Sequence, residues 1–454
     1  MTDHPITLPD HDELLVDTVD TARWPNPLIE HGLEPVEDDH GLLCSSDIRS
    51  FAAFVDRGEL PPAFEPAGPR RLLGFDPRAV TAGVVTCGGL CPGTNDVIRS
   101  LTLTLLHGYG VRRVIGYRYG FAGLADPLRL PPLALTAAAV RDVHLHGGTV
   151  LGSSRGPQDP DAMVRTLVHD RVSMLFCIGG DGSVRGASAI VAAVRRLGHR
   201  IAVVSVPKTI DNDLDWVDRS FGFATAVDAA ARTIGAAHVE ARGALDGIGL
   251  VKLMGRHSGF IAAHASLARP DVNLCLVPEV PFTLAGDGGV VDVVARRLAR
   301  RRHAVIVVAE GAGQDLLAPP AATDASGNTK LADVGTWLRD HLRSDLGELG
   351  VHADIKYLDP SYEIRSLPAN ATDAAFCLSL GQMAAHAAMA GKTDVVVGYH
   401  QGRFTHLPND LVTRRRRQVQ PTGDLWQRVL QSTGQPLALI GDPARHPETT
   451  AAAT

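Results

Sequence analysis

The chain has 454 residues, of which 45% are hydrophobic and 21% charged, with a formal net charge of −6 at pH 7. This length and composition are typical of a globular protein with two domains of ordinary size. The acidic balance argues against nucleic acid or an anionic membrane as the main partner, so local cations would have to hold an anionic substrate.

Targeting signals and cysteine frameworks are not expected. No uninterrupted apolar run reaches about 18 residues, so no membrane span is predicted. The N-terminus is acidic and lacks the apolar core of a secretory signal. The six cysteines do not suggest a disulfide framework, and we interpret Cys87 and Cys91 as small packed residues rather than metal ligands. These features predict a cytoplasmic protein.

Residues 1–76 form a predicted N-terminal extension, rich in Pro, Asp, Glu and His and with little periodicity. Such a segment either packs over the body of the protein or is partly loose. The compact fold is predicted to begin at the short apolar strand Thr81–Thr86, which leads into Gly88 and Gly89.

Strands and helices are then predicted to alternate. In the first half they are a helix near Thr94–His107, a strand at Val111–Tyr117, a helix near Asp161–His169, a strand at Met174–Ile178, a helix near Ser183–Leu197 and a strand at Ile201–Val206. In the second half they are helix Phe221–Val239, strand Gly249–Leu253, helix His257–Leu267, strand Leu274–Pro278, helix Val290–Arg301, strand Ala304–Ala309, helix Asp373–Ala390 and strand Asp394–Tyr399. Nearly all-apolar strands in this rhythm predict an α/β fold whose parallel sheet is covered on both faces.

Three segments are expected outside this pattern. Gly313–Asn328, rich in Ala, Pro, Asp and Gly, is predicted to be a surface loop, and Pro443–Thr454 a disordered tail. The four consecutive basic residues Arg414–Arg417 favour a solvated turn over a polyanion site.

Four glycine-containing or polar turns follow predicted strands in the first half: Gly88–Asn95, Gly152–Gly156, Gly179–Ser183 and Pro207–Leu214. Glycine lets the backbone approach a ligand closely, and a helix N-terminus after such a turn attracts phosphate. One such turn is weak evidence, but several on successive strands favour a phosphate site over packing. The spacing fits neither a dinucleotide fingerprint nor a P-loop.

The loop Pro207–Leu214 carries the densest set of reactive side chains. Its preceding strand delivers Lys208, Asp211 and Asp213 to a strand end, where ligands bind in open α/β sheets. Paired acids there handle protons or metal ions, although for this loop alone helix-capping aspartates are an equal alternative. Asp181, between two glycines, suits a magnesium ion that bridges phosphates.

Phosphoryl transfer fits these residues. Arg155 and Lys208 can neutralise the moving phosphoryl group, and Asp211 can serve as the base for the accepting hydroxyl. In the second half, two arginines (Arg256 and Arg365) suit a phosphate on the acceptor, and Glu310 suits sugar hydroxyls. The alternative for each arginine is a surface ion pair.

Five motifs, in this order along the chain, together resemble those of the 6-phosphofructokinases. They are Gly88–Gly89 with Pro92–Asn95, Gly179–Ser183, Pro207–Asp213, Met254–Gly259 and Lys356–Arg365. The resemblance covers roughly residues 80–410 and is highly specific in combination. It implies Mg²⁺-dependent phosphorylation of fructose 6-phosphate at its 1-hydroxyl, a step of glycolysis.

The resemblance also implies roles for individual residues. Asp211 resembles the catalytic base, assisted by Arg155 and Lys208, and Asp181 the magnesium ligand. Donor-binding positions correspond to Gly89, Ser154, Arg155, Gly156, Gly180, Asp181, Gly182 and Ser183. Sugar-phosphate positions correspond to Thr209, Ile210, Asp211, Met254, Gly255, Arg256, Glu310, Tyr362 and Arg365.

The family's architecture implies two similar Rossmann-like parallel-sheet domains, with the active site in the cleft between them, in homodimers or homotetramers. Residues 77–222 with about 366–412 are predicted to bind the donor. Residues 223–365 with about 413–442 are predicted to bind the sugar phosphate.

Two residues bear on the phosphoryl donor in opposite directions. Gly182 leaves room for the α-phosphate of ATP, where pyrophosphate-dependent members typically carry an acid. Lys208 is the pyrophosphate-type residue. This combination resembles the ATP-dependent branch that is otherwise pyrophosphate-like, including plant and trypanosomatid enzymes, so ATP is favoured over pyrophosphate.

Two other classes are weighed against this interpretation. A catalytically silent, sugar-phosphate-sensing subunit would not need the complete set Arg155, Asp181, Asp211 and Asp213. NAD and lipid kinases share a Gly-Gly-Asp-Gly turn, but the Met254–Arg256 and Tyr362–Arg365 signatures do not belong to them. Sedoheptulose 7-phosphate, which has a similar reacting end, stays an alternative acceptor.

Overall fold

The computed structural model of the protein describes residues 8–318, 323 and 330–442. Its strands are, in chain order, β1 (Asp17–Thr18), β2 (Trp24–Pro25), β3 (Leu42–Leu43), β4 (Ala63–Pro66), β5 (Leu72–Leu73), β6 (Thr81–Thr86), β7 (Arg113–Tyr117), β8 (Leu133–Ala134), β9 (Met174–Gly179), β10 (Ala202–Pro207), β11 (Gly247–Leu253), β12 (Leu274–Leu276), β13 (His303–Ala309), β14 (Asp354–Leu358), β15 (Lys392–Thr393), β16 (Val395–His400) and β17 (Arg403–Pro408).

The α-helices alternate with these strands through most of the chain. They are α1 (Pro27–Glu30), α2 (Ile48–Asp56), α3 (Thr94–Leu103), α4 (Gly120–Ala125), α5 (Pro160–His169), α6 (Asp181–Arg196), α7 (Phe223–Gly243), α8 (Phe260–Ala268), α9 (Val290–Arg301), α10 (Val334–Glu348), α11 (Glu363–Ser366), α12 (Ala371–Met389), α13 (Asn409–Thr413) and α14 (Asp424–Thr433). A π-helical turn, Thr104–Gly108, follows α3, and a short 3₁₀ helix spans Gln314–Leu316. No helix of the described residues is long and apolar enough to cross a membrane.

The described residues divide into two compact units. The first unit contains residues 8–225 and 365–417, and the second contains residues 226–318, 323, 330–364 and 418–442. The chain passes from one unit to the other within α7, within α11 and again after Arg417.

The first unit is built on a nine-stranded sheet in the order β3-β4-β17-β16-β10-β9-β6-β7-β8. The five strands from β16 to β7 run parallel, and the flanking pairs are antiparallel. Every residue of β6, β9 and β10 is buried. Because helices cover both faces of such strands, their sequences read as continuous apolar runs. This arrangement confirms the predicted α/β fold class.

The described part of the N-terminal extension packs on the first unit. Strand β4 pairs with β17 and brings Phe64, which is fully buried, against Trp216. Leu14 is buried in the same apolar cluster. The carboxylate of Glu65 accepts hydrogen bonds from Arg70 and Lys392, at 2.7 and 2.8 Å, and the bond from Lys392 also holds the extension in place.

The second unit contains a four-stranded parallel sheet in the order β12-β13-β11-β14. Its core lies between this sheet and the helices α9 and α10, with Leu250, Val294, Ile306 and Leu338 all buried. Sequence patterns had not predicted β14 or α10. Strand β14 alternates polar and apolar residues at the edge of the sheet, which gives a weak signal in so short a segment.

Two sequence predictions fall partly or wholly outside the described residues. Of the predicted loop Gly313–Asn328, residues 319–322 and 324–328 lie outside them. The predicted tail Pro443–Thr454 lies entirely outside.

Candidate active site

Three parallel strands of the first unit end in the same layer and carry the candidate loops. Pro207 at the end of β10 is in register with Gly179 at the end of β9, and Ile178 is in register with Thr86 at the end of β6. The segments that follow therefore emerge side by side at the carboxyl edge of the sheet, where α/β folds bind ligands.

Helix α6 begins directly after β9, at Asp181. A Cβ atom at Gly179 would lie only 2.2 Å from the side chain of Ser183, so the tight turn requires glycine there. The helix has 16 residues, and its first turn contains Gly182 and Ser183. The N-terminus of the helix, with its positive dipole, thus lies at the strand ends, where it favours phosphate.

The loop after β6 is joined to the segment that carries Arg155. Ser153 Oγ donates to the carbonyl of Gly88 at 2.6 Å, and Gly88 N donates to the carbonyl of Ser154 at 3.0 Å. A Cβ atom at Gly89 would lie 3.3 Å from Arg155 Nη2 and 3.5 Å from Arg365 Nη1. Glycine at this position therefore lets two guanidinium groups approach the backbone.

Lys208 is the third cation of this group. Its side chain is buried, and Nζ donates a hydrogen bond to the carbonyl of Gly89. Burial, together with the smaller effect of the positive charges of Arg155 and Arg365, lowers the pKa of Lys208 below its ordinary value. Lys208, Arg155 and Arg365 thus form a compact cationic cluster around Gly89.

The loop after Lys208 is held by its own side chains. Thr209 Oγ1 accepts from Asp211 N at 3.1 Å and donates to Asp213 Oδ1 at 3.0 Å. Asn212 takes a left-handed conformation with φ of 54°, and its Oδ1 accepts from Ser220 N at 2.8 Å. No helix begins between Lys208 and Gly222, so the helix-cap interpretation of the two aspartates is wrong. Burial raises the pKa of Asp213.

Asp181 has the features of a magnesium ligand. Its Oδ2 forms ion pairs with Arg185 and, at 3.3 Å, with Arg416, whereas its buried Oδ1 has no hydrogen-bond partner. In the described residues no cluster of three or more His, Cys, Asp or Glu side chains could hold a metal ion. Mg²⁺ commonly binds through one or two carboxylates together with waters and substrate phosphates, and Asp181 fits that mode.

The arginine run Arg414–Arg417 is not simply a solvated turn, and that interpretation is wrong for its last two members. Arg414 pairs with Glu13 at 2.7 Å and is exposed, but Arg416 pairs with Asp181. Arg417 Nη1 donates to the carbonyl of Val217 at 2.6 Å, and burial lowers the pKa of Arg417. The run therefore packs along the loop after β10.

In the second unit, β11 and β13 bring two candidate residues together. Glu310 N donates to the carbonyl of Leu253 at 2.8 Å, and Gly311 N donates to that of Gly255 at 3.2 Å. Gly255 has φ of +130°, and a Cβ atom there would lie 2.6 Å from the carbonyl oxygen of Ser258. The Met254–Arg256 turn thus requires glycine and lies beside Glu310.

The segment before α11 carries Tyr362, which is 75% exposed. The turn is anchored by Lys252, whose Nζ lies 2.7 Å from Asp359 Oδ2, and by Ile364, which is buried. Tyr362 belongs to the second unit, whereas Arg365, three residues later, belongs to the first.

The candidate residues are divided between the units. The first unit carries Gly89, Ser154, Arg155, Gly156, Gly180, Asp181, Gly182, Ser183, Lys208, Thr209, Ile210, Asp211 and Arg365, and the second carries Met254, Gly255, Arg256, Glu310 and Tyr362. Sequence reasoning missed Arg185 and Arg416 as partners of Asp181. Arg185 lies one helical turn after Asp181, a spacing that favours an ion pair and could have indicated it.

Comparison with known proteins identifies relatives over most of the chain. The phosphofructokinase family profile matches residues 81–391. The ATP-dependent 6-phosphofructokinase of Amycolatopsis methanolica is 48% identical over 434 residues, covering 94% of this chain and 93% of the relative. The protein of the same name from Borreliella burgdorferi is 45% identical over 435 residues, covering 93% and 97%.

Among solved structures, the pyrophosphate-dependent phosphofructokinase of Marinobacter aquaeolei is similar with a TM-score of 0.65. The match covers 78% of this chain and 91% of that one at 21% identity, and at this identity the likeness shows the fold alone.

Proposed function

The chain belongs to the phosphofructokinase family, and we propose that it is an ATP-dependent 6-phosphofructokinase. It transfers the γ-phosphate of ATP to the 1-hydroxyl of D-fructose 6-phosphate, giving fructose 1,6-bisphosphate and ADP. The observation that carries this proposal is the cluster of Lys208, Arg155 and Arg365 around Gly89, at the sheet edge that also presents Asp181 and Asp211.

The donor site, in this proposal, is the carboxyl edge of the first unit. The N-terminus of α6 binds donor phosphate through Gly182 and Ser183. Arg155 and Lys208 balance the negative charge that spreads over the phosphoryl oxygens during transfer, where preorganised cations are most effective. Asp181 would hold Mg²⁺, which would supply positive charge to the donor phosphates.

Asp211 is the proposed general base. The hydrogen bond from its backbone N–H to Thr209 Oγ1 fixes the loop, so that the carboxylate is positioned to accept the proton of the sugar 1-hydroxyl. The same loop contributes Thr209 and Ile210 to the sugar site. Without a base, the hydroxyl would be a weak nucleophile at neutral pH.

The sugar phosphate is assigned to residues of both units. Arg256 and Arg365 hold the 6-phosphate through forked hydrogen bonds, which suit guanidinium groups better than a lysine. Glu310 accepts from sugar hydroxyls, while Met254, Gly255 and Tyr362 shape the site.

ATP is favoured as the donor by Gly182. A Cβ atom at this position meets no other atom within 4 Å, so the space beside the first turn of α6 is open to the rest of a nucleotide. Lys208 is the observation that favours pyrophosphate, because it is typical of pyrophosphate-dependent members. We give Gly182 more weight, since an added acid would repel the α-phosphate directly.

The decisive experiment measures phosphorylation of fructose 6-phosphate by the purified protein, with ATP and pyrophosphate supplied separately. Turnover with ATP and not with pyrophosphate is expected. Turnover with pyrophosphate alone would overturn the donor assignment, and no turnover with either donor would overturn the enzyme assignment. Sedoheptulose 7-phosphate is tested in the same assay as the alternative acceptor.

The proposal also includes an oligomeric state and a cellular location. We expect a homodimer or homotetramer, as the resemblance to the family implies, and a cytoplasmic site of action. Sedimentation equilibrium of the purified chain tests the first expectation, and a monomer at micromolar concentration would contradict it.

A further inference from the structure

Arg416 lies against the proposed magnesium ligand. Its Nη2 is 3.3 Å from Asp181 Oδ2, and its side chain is 35% exposed, against 16% for that of Asp181. Arg185 reaches the same carboxylate oxygen. The other oxygen, Oδ1, is buried and has no hydrogen-bond partner. One face of the carboxylate is therefore neutralised by arginine, and the other is unsatisfied.

The backbone holds Arg416 at this place. Arg416 forms an antiparallel bridge with Leu214, and Arg417 N donates to the carbonyl of Asp213 at 2.9 Å. Arg185 Nη1 donates to the carbonyl of Thr413, also at 2.9 Å. The arginine run is thus tied on one side to the loop of the proposed base and on the other to α6.

The charge of Arg416 acts on two carboxylates at once. Burial raises the pKa of Asp213, the charge of Arg416 opposes that rise, and the charge of Asp181 adds to it. Arg416 pairs with Asp181, and the next residue, Arg417, is hydrogen-bonded to the backbone of Asp213, so the segment lies beside both aspartates. The guanidinium of Arg416 neutralises Asp181 as a divalent cation bound there would.

We propose that Arg416 is a donor-binding residue that exchanges partners. It neutralises Asp181 in the metal-free protein, and it binds donor phosphate when Asp181 holds Mg²⁺. This inference rests on the proposed function. A guanidinium released from Asp181 keeps its charge and its forked N–H donors, which match phosphate geometry. Its tethered backbone keeps it beside Asp181, the residue that would hold the metal.

Two opposite effects on binding follow from the exchange. Removing the guanidinium removes a competitor of the metal, so the metal alone should bind more tightly to Asp181. It also removes a charged phosphate partner, so the nucleotide complex should bind more weakly. A purely structural role for Arg416 would not produce effects of opposite sign.

The variants are Arg416→Ala and Arg416→Lys, with Arg414→Ala as the matched control. Arg414 belongs to the same run and also has an ion pair, at 2.7 Å, but its partner is Glu13 rather than Asp181. Mn²⁺ alone serves as the paramagnetic probe of metal binding, and electron paramagnetic resonance measures the concentration of unbound Mn²⁺. MgATP binding is measured by calorimetry without sugar phosphate, and melting curves check that each variant folds.

The expected result for Arg416→Ala is Mn²⁺ affinity increased severalfold and MgATP affinity decreased about tenfold or more, as loss of a charge-assisted hydrogen bond implies. Arg416→Lys, which keeps the charge but not the fork, should bring Mn²⁺ affinity back toward wild type and recover part of the MgATP affinity. Arg414→Ala should leave both affinities within about twofold. Unchanged MgATP affinity, or Mn²⁺ affinity that is unchanged or reduced, would overturn the inference.

The wild-type titration distinguishes a failure of the proposed function from a failure of the inference about Arg416. If wild-type protein fails to bind MgATP and does not use ATP, the proposed function and the inference both fail. If wild-type protein binds MgATP and Arg416→Ala binds it equally well, the inference alone fails.

Discussion

Lys208 Nζ donates a hydrogen bond to the carbonyl oxygen of Gly89, joining the loop after β10 to the loop after β6. Because Gly89 is also the point where Arg155 and Arg365 approach the backbone, this contact assembles the cationic cluster from three separate parts of the chain.

Replacing Lys208 with methionine keeps much of the side-chain volume but removes the charge and the hydrogen bond to Gly89. We expect kcat to fall by about 10²–10³-fold, as when one preorganised donor is removed from a transition-state site. Steady-state kinetics with ATP measures the effect. A kcat within threefold of wild type would contradict a role for Lys208 in the transfer step.

Asp211→Ser removes the proposed base. Turnover should fall by about 10²–10⁴-fold, the usual contribution of general base catalysis, while fructose 6-phosphate still binds. Rapid kinetics measures the turnover, and calorimetry measures the affinity for fructose 6-phosphate. Asp228→Ser, which breaks a surface ion pair with Arg232 on α7, is the control and should retain wild-type turnover. Retention of most activity by Asp211→Ser would show that another group is the base.

Gly182→Asp places a carboxylate in open space at the first turn of α6, so folding should be little affected. The value of kcat/KM for ATP should fall by about 100-fold or more, because the new charge lies close to nucleotide phosphate in poorly screened surroundings. Gly347→Asp adds the same charge at another glycine with open space, in α10, and serves as the control. Unchanged ATP kinetics in Gly182→Asp would show that the open space at Gly182 does not determine the use of ATP.

His386 should make stability depend on pH. It accepts or donates a 2.7 Å hydrogen bond with Tyr109 Oη, and burial, with smaller effects of His406 and Arg70, lowers its pKa to about 4. Below pH about 6.5 the unfolded chain binds a proton at this histidine that the folded chain excludes, so stability falls as pH falls from about 6.5 to 4.

This linkage is worth about 2 kcal/mol at pH 5. In His386→Gln the loss of melting temperature between pH 7 and pH 5 should be smaller than in wild type. His199→Gln, at an exposed position, should behave as wild type does. An identical pH dependence in His386→Gln and wild type would rule out a contribution from His386.

Much of the fold and the candidate loops could be predicted from local sequence. Strands β6, β9 and β10 are continuous apolar runs, and buried parallel strands require such runs, so their type was predictable and their ends accurate to about a residue. The two-residue strands of the extension were not predictable, because β1, β2 and β3 exist only through pairing with distant segments.

The pairing of Arg416 with Asp181 could not be predicted for a related reason. The two residues are separated by 235 positions, and a run of four arginines has the same appearance whether it faces solvent or acids. Only the packing of residues 413–417 along the loop after β10 distinguishes the two cases.

The sequence by itself determined the alternation of the long buried strands and their helices, the family and the chemical types of the candidate residues, because these depend on local periodicity and on motifs of a few residues. The tertiary structure decided which charges meet. Lys208, Arg155 and Arg365 come together at Gly89, and Arg416 pairs with Asp181. These contacts depend on distances between segments that only the folded sheet brings together.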